Sequence, residues 1–523
     1  MSKSLYLVNP RSDRPTFFGR QVYEAYGFPP ALLLADLALP TVAALAPRDF
    51  RIALCDEQIA PVDFEADADY IGITGKVGQE RRMIEISREF RRRGKVVIFG
   101  GPYATLSSDR LRGACDILVR GELEGIAEAF FADLRENTWR PEYDGGKPDL
   151  RSSPAPRWDG YPLDRCLNAV VQTARGCPFE CEFCDVIQYL GRKQRHKSVD
   201  QVLTELDALY RRGHRSIFLA DDNFTVYRAR AKELLRALAA WNSSRRAGRV
   251  AFSTQVSIEC ARDTEMLDLL AQAGMNCLFI GIETSNEASL KETHKRQNLG
   301  VDAVACVERF PARGMRVDAG MIVGFDADGK DAFERQYDFA MSSPIPIFSV
   351  TPLTAPPATP LYARLAAENR LIAIDGDTPQ TCPSSSNIIP RQMTHEELMR
   401  GMRWLITRLY SAEAFGRRML RFIDCYRPPA LAARAGSPAP PPRAVEAESV
   451  QVAGRVLRLG RAEEEMIAKL SRRMQNKPAA IGHALAILGQ YMQTRYQYEQ
   501  TGMWDPDLAA QPSPFAVASA CTA

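Results

Sequence analysis

The chain has 523 residues, of which 46% are hydrophobic and 25% are charged. These are the proportions of ordinary globular proteins and exclude wholesale disorder, and at roughly 150 residues per domain the length predicts two to four domains. The net charge of +3 lies too near zero for a protein that binds nucleic acid electrostatically.

Neither a secretory leader nor a membrane span is apparent in the sequence. The longest apolar stretch, residues 28–47, contains Asp36 and four prolines, which a membrane span does not tolerate. Twelve cysteines in such a chain favour thiols or metal ligands over a disulfide framework. We therefore expect a multidomain α/β protein of the cytoplasm.

Residues 1–150 alternate short apolar runs with helical patterns, which predicts a doubly wound, Rossmann-like domain with a parallel sheet. Ligands of such a sheet bind at the carboxyl ends of its strands. Helical patterns are predicted at 25–45 and 81–93, and strands at 4–10, 51–56, 70–75, 95–101 and 116–122.

A second series of strands, each followed by a helical pattern, occupies residues 165–373 after a proline-containing connection. Six such units predict a complete or partial βα barrel of the TIM type, with its chemistry at the C-terminal ends of the strands. The predicted strands are 169–175, 216–221, 251–257, 277–283, 316–325 and 346–353.

The remainder of the chain is predicted to be mainly helical. An accessory helical region covers 374–426, a proline-rich linker covers 427–448, and C-terminal helices cover 449–505. Individual helices are predicted at 394–410, 412–424, 461–475 and 478–499.

The strongest motif is RGCPFECEFCD at 175–185, which spaces Cys177, Cys181 and Cys184 as C-x3-C-x2-C after a predicted strand. Three thiolates in one loop can hold three irons of a [4Fe–4S] cluster and leave the fourth open to a small chelating ligand. A zinc site is the main alternative, but structural zinc takes four ligands, and the nearest later candidate is His196. A chance cluster is the other alternative.

This motif, with Phe183 before its last cysteine, resembles the radical S-adenosylmethionine (SAM) superfamily. The resemblance implies that the open iron chelates the methionyl end of SAM and that an electron from the cluster cleaves SAM to a 5′-deoxyadenosyl radical. Such a radical attacks unactivated C–H bonds, which acids and bases leave untouched. Phe183 is then expected beside the adenine.

Two later segments agree with this resemblance. GIET at 281–284 ends the fourth barrel strand, where the family places a carboxylate or hydroxyl against SAM, and GMIVGFDAD at 320–328 resembles the family's glycine-containing fifth strand. DDNF at 221–224 also faces the predicted site; for each segment alone a strand end or helix cap is the alternative, and it is favoured for Asp222. The candidate SAM contacts are Phe183, Gly281, Glu283, Thr284 and Gly324.

The doubly wound domain resembles the cobalamin-binding domain of a large radical SAM subgroup. The matching segments are ITGK at 73–76, GGPYAT at 100–105 and RGELEG at 120–125. A lone Gly-Gly turn is weak evidence, whereas three such loops in order, fused to the cysteine motif, favour cobalamin. The candidate contacts are Thr74, Gly100, Gly101, Pro102, Tyr103, Thr105, Gly121 and Glu122.

The five histidines limit how cobalt is held, because they lie at positions 196, 214, 294, 395 and 483 and none falls within residues 1–150. The Asp-x-His-x-x-Gly lower-ligand motif of cobalamin mutases is therefore absent. The resemblance implies that the lower face of the cobalt holds water, nothing or another side chain.

The resemblance covers residues 1–425 and implies a cobalamin-dependent radical SAM C-methyltransferase, with no catalytic side chain identified. An enzyme with the same cofactors that oxidises, cyclises or methylates a tetrapyrrole or antibiotic precursor is an alternative. A cobalamin or redox sensor is a further one, although Glu283 argues against it. A reducing partner of the flavodoxin or ferredoxin type is expected, and no nucleic acid.

The opening residues 1–19, the segment 27–45 and the accessory region most resemble bacterial hopanoid C-2 methylases. This implies hopanoid biosynthesis by methylation of ring A of a pentacyclic lipid, and a route for that lipid from the inner membrane, with peripheral contact there. Aromatic residues of the C-terminal helices are candidates to line an entrance or rest on the membrane, although ordinary helix packing is the alternative favoured for most of them. They are Trp404, Tyr410, Phe415, Phe422, Tyr491, Tyr496 and Tyr498.

Overall fold

Two parallel β-sheets, one of six strands and one of seven, carry the fold. The computed structural model describes residues 2–12, 20–245, 248–372, 383–429 and 442–516. Strand-rich α/β structure fills the first two thirds of the chain, and helices fill the rest. The predicted α/β fold class is confirmed.

Seven strands and six helices are found in the described part of residues 1–150. The strands are β1 (Ser4–Asn9), β2 (Leu32–Leu34), β3 (Arg51–Asp56), β4 (Tyr70–Thr74), β5 (Val96–Gly100), β6 (Ile117–Arg120) and β7 (Glu142–Asp144). The helices are α1 (Gln21–Ala25), α2 (Ala38–Leu45), α3 (Glu80–Arg92), α4 (Gly101–Leu106), α5 (Ser108–Leu111) and α6 (Ala127–Glu136).

The first sheet has the strand order β3-β1-β4-β5-β6-β7, and every pair in it is parallel. Apolar runs such as YIGIT and VVIFG form its central strands because helices cover both faces of the sheet. The strand order reverses between β1 and β4, so a ligand crevice opens at the carboxyl ends of these strands.

The second sheet is a curled half-barrel of parallel strands in the order β15-β14-β13-β12-β11-β8-β2. Its strands and the short antiparallel pair β9–β10 are β8 (Cys166–Val171), β9 (Ala174–Arg175), β10 (Arg195–His196), β11 (Ser216–Leu219), β12 (Ala251–Val256), β13 (Met275–Glu283), β14 (Arg316–Val323) and β15 (Ile347–Pro352). Its helices are α7 (Val186–Tyr189), α8 (Val199–Arg211), α9 (Arg228–Ser243), α10 (Thr264–Ala273), α11 (Glu287–Glu292), α12 (Ala303–Glu308), α13 (Ala332–Ser342) and α14 (Pro360–Ala367).

Residues 25–45 do not form the predicted continuous helical pattern. Helix α1 ends at Ala25, β2 follows, and α2 begins only at Ala38. Gly27 adopts φ +80°, and the two prolines after Phe28 cannot continue a helix. Strand β2 then pairs in parallel with β8, Leu32 opposite Cys166, so the N-terminal segment supplies an edge strand to the half-barrel.

Five helices complete the described chain: α15 (His395–Tyr410), α16 (Ala412–Cys425), α17 (Ala444–Gly454), α18 (Arg461–Gln475) and α19 (Ile481–Gln500). The predicted linker at 427–448 is shorter at its C-terminal end, because α17 begins at Ala444; residues 430–441 of it lie outside the described residues. No helix in the described ranges is long and apolar enough to cross a membrane.

Most of the aromatic residues proposed for a membrane entrance are instead buried between these helices. Tyr410 stacks on Tyr491 at 6.2 Å, and Phe415 stacks on Tyr491 at 4.2 Å between ring centroids. Trp404, Phe422 and Tyr498 are likewise buried, and only Tyr496 is partly exposed. Helix packing, the interpretation favoured for most of these aromatic residues, therefore accounts for the six buried side chains.

Candidate active site between the two sheets

A cavity of about 1280 Å³ runs from the crevice of the first sheet into the lumen of the half-barrel. The loops after β4, β5 and β6 form one wall, and residues of β8 and β11–β15 form the other. Helix α19 lines the far end of the lumen through Gln490 and Gln493. Because ligands of both sheet types bind at the strands' carboxyl ends, this cavity contains the candidate site.

The three motif cysteines lie in the loop that joins β9 to α7. Cys181 is buried, Cys177 and Cys184 are half-buried, and all three are free thiols. The Cys184 backbone N–H donates to the Cys181 carbonyl oxygen at 3.0 Å, which folds the loop tightly. Gly176 begins it with φ +96°, and a Cβ there would lie 2.8 Å from the Gly191 carbonyl oxygen, so only glycine fits.

The sulfur donors of this loop fit an iron–sulfur cluster. Burial raises the pKa of Cys177, and it raises that of Cys184 to about 12, so both thiols stay protonated until a metal binds them as thiolates. No three His, Cys, Asp or Glu side chains in the described ranges converge as ligands of one ion. A cluster needs no such convergence, because each thiolate binds a different iron.

Ion pairs fix the cysteine loop on two sides. Glu182 accepts two hydrogen bonds from Arg364, at 2.7 and 3.0 Å, which attach the loop to α14. Arg175, two residues before Cys177, donates to Glu122 at 2.7 Å and to Glu124 at 2.8 Å in the first sheet's β6 loop. These bonds hold the cysteines in a fixed position relative to the crevice.

Glu122 was predicted to contact cobalamin, but arginines bind its side chain. Besides Arg175, Arg195 donates to the same carboxylate, through Nη1 at 2.8 Å and through Nη2. Glu122 is buried and lines the cavity. Its carboxylate therefore joins the two sheets.

Glu283 forms a buried ion pair with Lys295, a residue that sequence analysis missed. Lys295 Nζ lies 2.8 Å from Glu283 Oε1 and 5.7 Å from the centroid of the Phe183 ring. Burial opposes the charge of Lys295, but Glu283 and the nearby thiols outweigh it and raise the pKa of the lysine. A carboxylate, an ammonium and an aromatic ring thus meet beside the cysteine loop.

Backbone geometry supports this arrangement around Glu283. The residue has φ +64°, a left-handed conformation that few non-glycine residues adopt and that recurs at functional sites. Gly281 and Gly320 leave room for its side chain: a Cβ on Gly320 would lie 3.0 Å from Glu283 Oε2, and one on Gly281 would collide with Oε1. The Glu283 carboxylate fits here because Gly281 of β13 and Gly320 of β14 have no side chains.

Thr284 and Gly324 lie at the same end of the strands but make local structural contacts. The Thr284 hydroxyl accepts from the Asn286 backbone N–H at 3.0 Å. Gly324 has φ +116°, and its N–H donates to Asp328 Oδ2 at 3.0 Å. Asp222, which follows β11, accepts a hydrogen bond from the Gly176 N–H at 3.1 Å and so supports the start of the cysteine loop.

The cobalamin candidates surround the crevice, with one exception. Thr105 Oγ1 accepts from the Gly121 N–H and donates to the Gly101 carbonyl oxygen, both at 3.0 Å, which joins two of the loops. Tyr103 is the exception, since it is fully buried in the core of the first sheet and does not line the cavity. The candidates that line it are Thr74, Gly100, Gly101, Pro102, Thr105, Gly121 and Glu122.

An apolar slot continues the crevice across one face of the first sheet, where it is covered by α2. A crevice lined by glycine backbone and an adjoining apolar slot fit a corrin ring with a planar nucleotide base. No histidine occurs in residues 1–150, so this domain offers no imidazole to the metal. The slot is lined by Leu5, Leu7, Leu39, Val42, Leu45, Gly72, Ile98 and Val119.

Comparison with known proteins agrees with this geometry. Residues 171–340 match the radical SAM superfamily, and residues 359–498 match a domain of unknown function, DUF4070. An uncharacterized methyltransferase of Synechocystis sp. is 37% identical over 68% of this chain and 67% of its own. The hopanoid C-2 methylase of Rhodopseudomonas palustris is 30% identical over 74% of this chain and 73% of its own.

Two solved structures share the fold. The radical SAM methyltransferase TsrM from Kitasatospora setae, with cobalamin and a [4Fe–4S] cluster bound, gives a TM-score of 0.60 at 17% identity, over 90% of this chain and 100% of that one. The cobalamin-dependent SAM radical enzyme OxsB, with aqua-cobalamin bound, gives 0.60 at 15% identity, over 95% and 80%. With the 30% and 37% identical relatives, the chain belongs to the cobalamin-dependent radical SAM methyltransferases, enzymes whose cofactors are a [4Fe–4S] cluster, SAM and cobalamin.

Proposed function

We propose that this enzyme methylates an unactivated ring carbon, C-2 of a hopanoid lipid. A continuous cavity joins the cobalamin crevice to a long lumen whose lining combines polar side chains with the apolar Val170, Phe218 and Phe279, and this continuity carries the proposal. A saturated pentacyclic lipid is apolar and elongated, and C-2 carries no acidic proton. The 30% identical hopanoid C-2 methylase supports this substrate over others.

The chain's residues divide the cofactor sites between them. Cys177, Cys181 and Cys184 would hold the cluster; Glu283, Lys295 and Phe183 would hold SAM beside it. The glycine loops after β5 and β6 would hold the corrin ring. When bound, the cluster and SAM supply a hydrogen-abstracting radical and cobalamin supplies a methyl group. The protein then keeps the reacting carbon away from water between the two sheets.

A peripheral contact with the membrane would give the lipid access to the lumen. Gly482 and Ala486 line the far end of the cavity and are exposed, so the lumen opens beside α19. Large apolar side chains are exposed on the surrounding helical surface, which favours contact with acyl chains. They are Val450, Leu457, Ile481 and Leu485.

Sedimentation with vesicles tests this membrane contact. Protein should pellet with vesicles of mixed phosphatidylethanolamine and phosphatidylglycerol, and a variant with Ile481→Ser and Leu485→Ser should stay in the supernatant. Tyr227→Ser, which removes an exposed apolar side chain from the half-barrel, is the matched control. Equal pelleting of all three proteins would exclude this surface.

Expression in a hopanoid-producing host that lacks its own methylase tests the substrate. The lipid extract should gain a species one CH₂ heavier, with the label from methyl-labelled methionine on ring A. Cys181→Ala protein, produced at the same level, should leave the extract unchanged. An unchanged hopanoid profile from cluster-replete, cobalamin-loaded protein would contradict the substrate and leave the family assignment intact.

A further inference from the structure

The far end of the lumen holds a polar cluster that the cofactor sites do not use. Arg316 and Asp318 come from the start of β14, Cys277 from the start of β13, and Gln490 and Gln493 from α19. Asp318 stands in register with Phe279, four residues before Glu283 on β13. At about 3.3 Å per strand residue, the cluster lies roughly 13 Å along the strand from Glu283.

Three oxygens of this cluster have no hydrogen-bond partner among the described residues. Arg316 Nη2, Gln490 Nε2 and the Cys277 thiol approach Asp318 Oδ2 at 3.2, 3.1 and 3.4 Å, whereas Asp318 Oδ1 has no partner in the described part of the chain. The same holds for Gln490 Oε1 and Gln493 Oε1. Asp318, Gln490 and Gln493 are only 5%, 8% and 6% exposed. Because buried polar atoms are rarely left without a hydrogen-bond partner, these three oxygens indicate that a ligand binds here.

The chemistry of the three oxygens defines that ligand. All three accept hydrogen bonds, so the ligand must donate them. Arg316 already balances the charge of Asp318, and a second buried cation beside the guanidinium would be repelled, which favours neutral hydroxyls over an ammonium group. Phe279, next to Asp318 in register, and Phe218 offer an apolar wall to the rest of the molecule.

We infer that this cluster binds a hydroxylated end of the substrate, while the apolar body lies along the lumen and the reacting carbon lies near the cysteine loop. The inference rests on the proposed function, since it orients that lipid. It predicts that the substrate is a triterpenoid with hydroxyl groups at the end remote from ring A, and that the bare hydrocarbon is a poor substrate.

Kinetics on the holoenzyme with two matched triterpenoids test the inference. One carries a polyhydroxylated side chain, and the other has the same rings with a hydrocarbon side chain. Wild-type kcat/KM should favour the polyol at least tenfold, about the effect of one hydrogen bond. Gln493→Leu should raise KM for the polyol about tenfold with kcat nearly unchanged, and should leave the hydrocarbon unaffected. Equal use of both triterpenoids by the wild type would overturn the inference.

Thr494→Val is the matched control, because Thr494 is buried on the same helix and does not line the cavity. It should keep the wild-type preference for the polyol. Asp318→Asn provides a second test of the cluster, because asparagine keeps one oxygen acceptor and replaces the other with an NH₂ donor. An unchanged preference in both Gln493→Leu and Asp318→Asn would contradict the assignment of these side chains.

Calorimetric titration separates this inference from the proposed function. The probes are an alkyl glucoside below its micelle concentration and an alkyl methyl ether of equal chain length. Wild-type holoenzyme should bind the glucoside at least tenfold more tightly, and Gln493→Leu should lose that difference. If neither triterpenoid is methylated but the glucoside preference holds, the proposed function fails and the hydroxyl site stands. If wild type and Gln493→Leu bind both probes equally, the hydroxyl site fails.

Discussion

The Lys295 ammonium donates to the Glu283 carboxylate at 2.8 Å, and both side chains are buried beside the motif cysteines. Breaking a buried ion pair leaves an uncompensated charge, which costs roughly 3–5 kcal/mol. The chain retains this pair at the mouth of the half-barrel, where SAM binds in the proposed arrangement. In that arrangement the pair would have both a structural role and a role in binding SAM, and variants can separate the two.

Replacing Lys295 by methionine should lower the formation of 5′-deoxyadenosine from SAM at least a hundredfold and destabilise the fold by about 3 kcal/mol. Lys291→Met removes an exposed lysine of the same segment and should change neither quantity. Glu283→Gln combined with Lys295→Met should recover part of the stability but no SAM cleavage. Full recovery of cleavage by the double variant would show that the pair is only structural.

Each motif cysteine should be required for the cluster. Alanine at Cys177, Cys181 or Cys184 should remove the iron–sulfur absorbance and abolish SAM cleavage, because each thiolate binds one iron. Cys260→Ala, at a buried cysteine outside the motif, should retain four irons per chain. A triple-alanine protein that still reconstituted four irons and cleaved SAM would exclude these ligands.

The crevice should bind cobalamin without a histidine ligand. Gly101→Val should abolish corrinoid binding, because Gly101 has φ +86° and its Cβ would collide with the Thr74 hydroxyl. Gly113→Val, at a positive-φ glycine with open space around it, is the matched control and should bind cobalamin normally. Electron paramagnetic resonance of the Co(II) form should show no nitrogen coupling from a lower imidazole; such coupling would contradict this part of the account.

Glu122 should matter for methyl transfer more than for SAM cleavage. Its pairs with Arg175 and Arg195 join the first sheet to the cysteine loop, so Glu122→Gln should loosen the crevice relative to the cluster. Methyl transfer should fall at least tenfold, whereas 5′-deoxyadenosine formation should fall less than threefold. Glu128→Gln, in the first turn of α6, serves as the control. A parallel loss of both activities would indicate a general folding defect.

The sequence predicts the central strands of the first sheet well because buried parallel strands such as YIGIT and VVIFG are nearly continuous apolar runs. Strand β2 was not predicted, because three consecutive leucines show neither the helical nor the strand pattern of apolar and polar residues. These leucines form a strand only because they pair with β8. The role of Lys295 was not predicted for a related reason. Lys295 lies in an irregular loop, and only the tertiary structure places it beside Glu283. The orientation of Tyr103 into the core likewise depends on how α4 packs, which its motif does not encode.

The helical region shows the same limit. Its periodicity predicts amphipathic helices correctly. The pattern does not indicate whether the apolar face of a helix packs on another helix or on a membrane. Tyr410 and Tyr491 pack on each other, not on a membrane. The hydroxyl-binding cluster is also invisible in the sequence, because Asp318 and Gln490 are 172 residues apart and meet only when α19 closes the lumen.

Radical methylation of ring A can be followed in a single-turnover reaction of the holoenzyme with a triterpenoid deuterated at C-2 and with SAM bearing a labelled methyl group. Deuterium should appear in 5′-deoxyadenosine and the labelled methyl group on ring A of the same lipid, both in equal amounts and neither with Cys181→Ala protein. Labelled methyl on the lipid without deuterium in 5′-deoxyadenosine, or equal methylation by the Cys181→Ala protein, would contradict radical methylation.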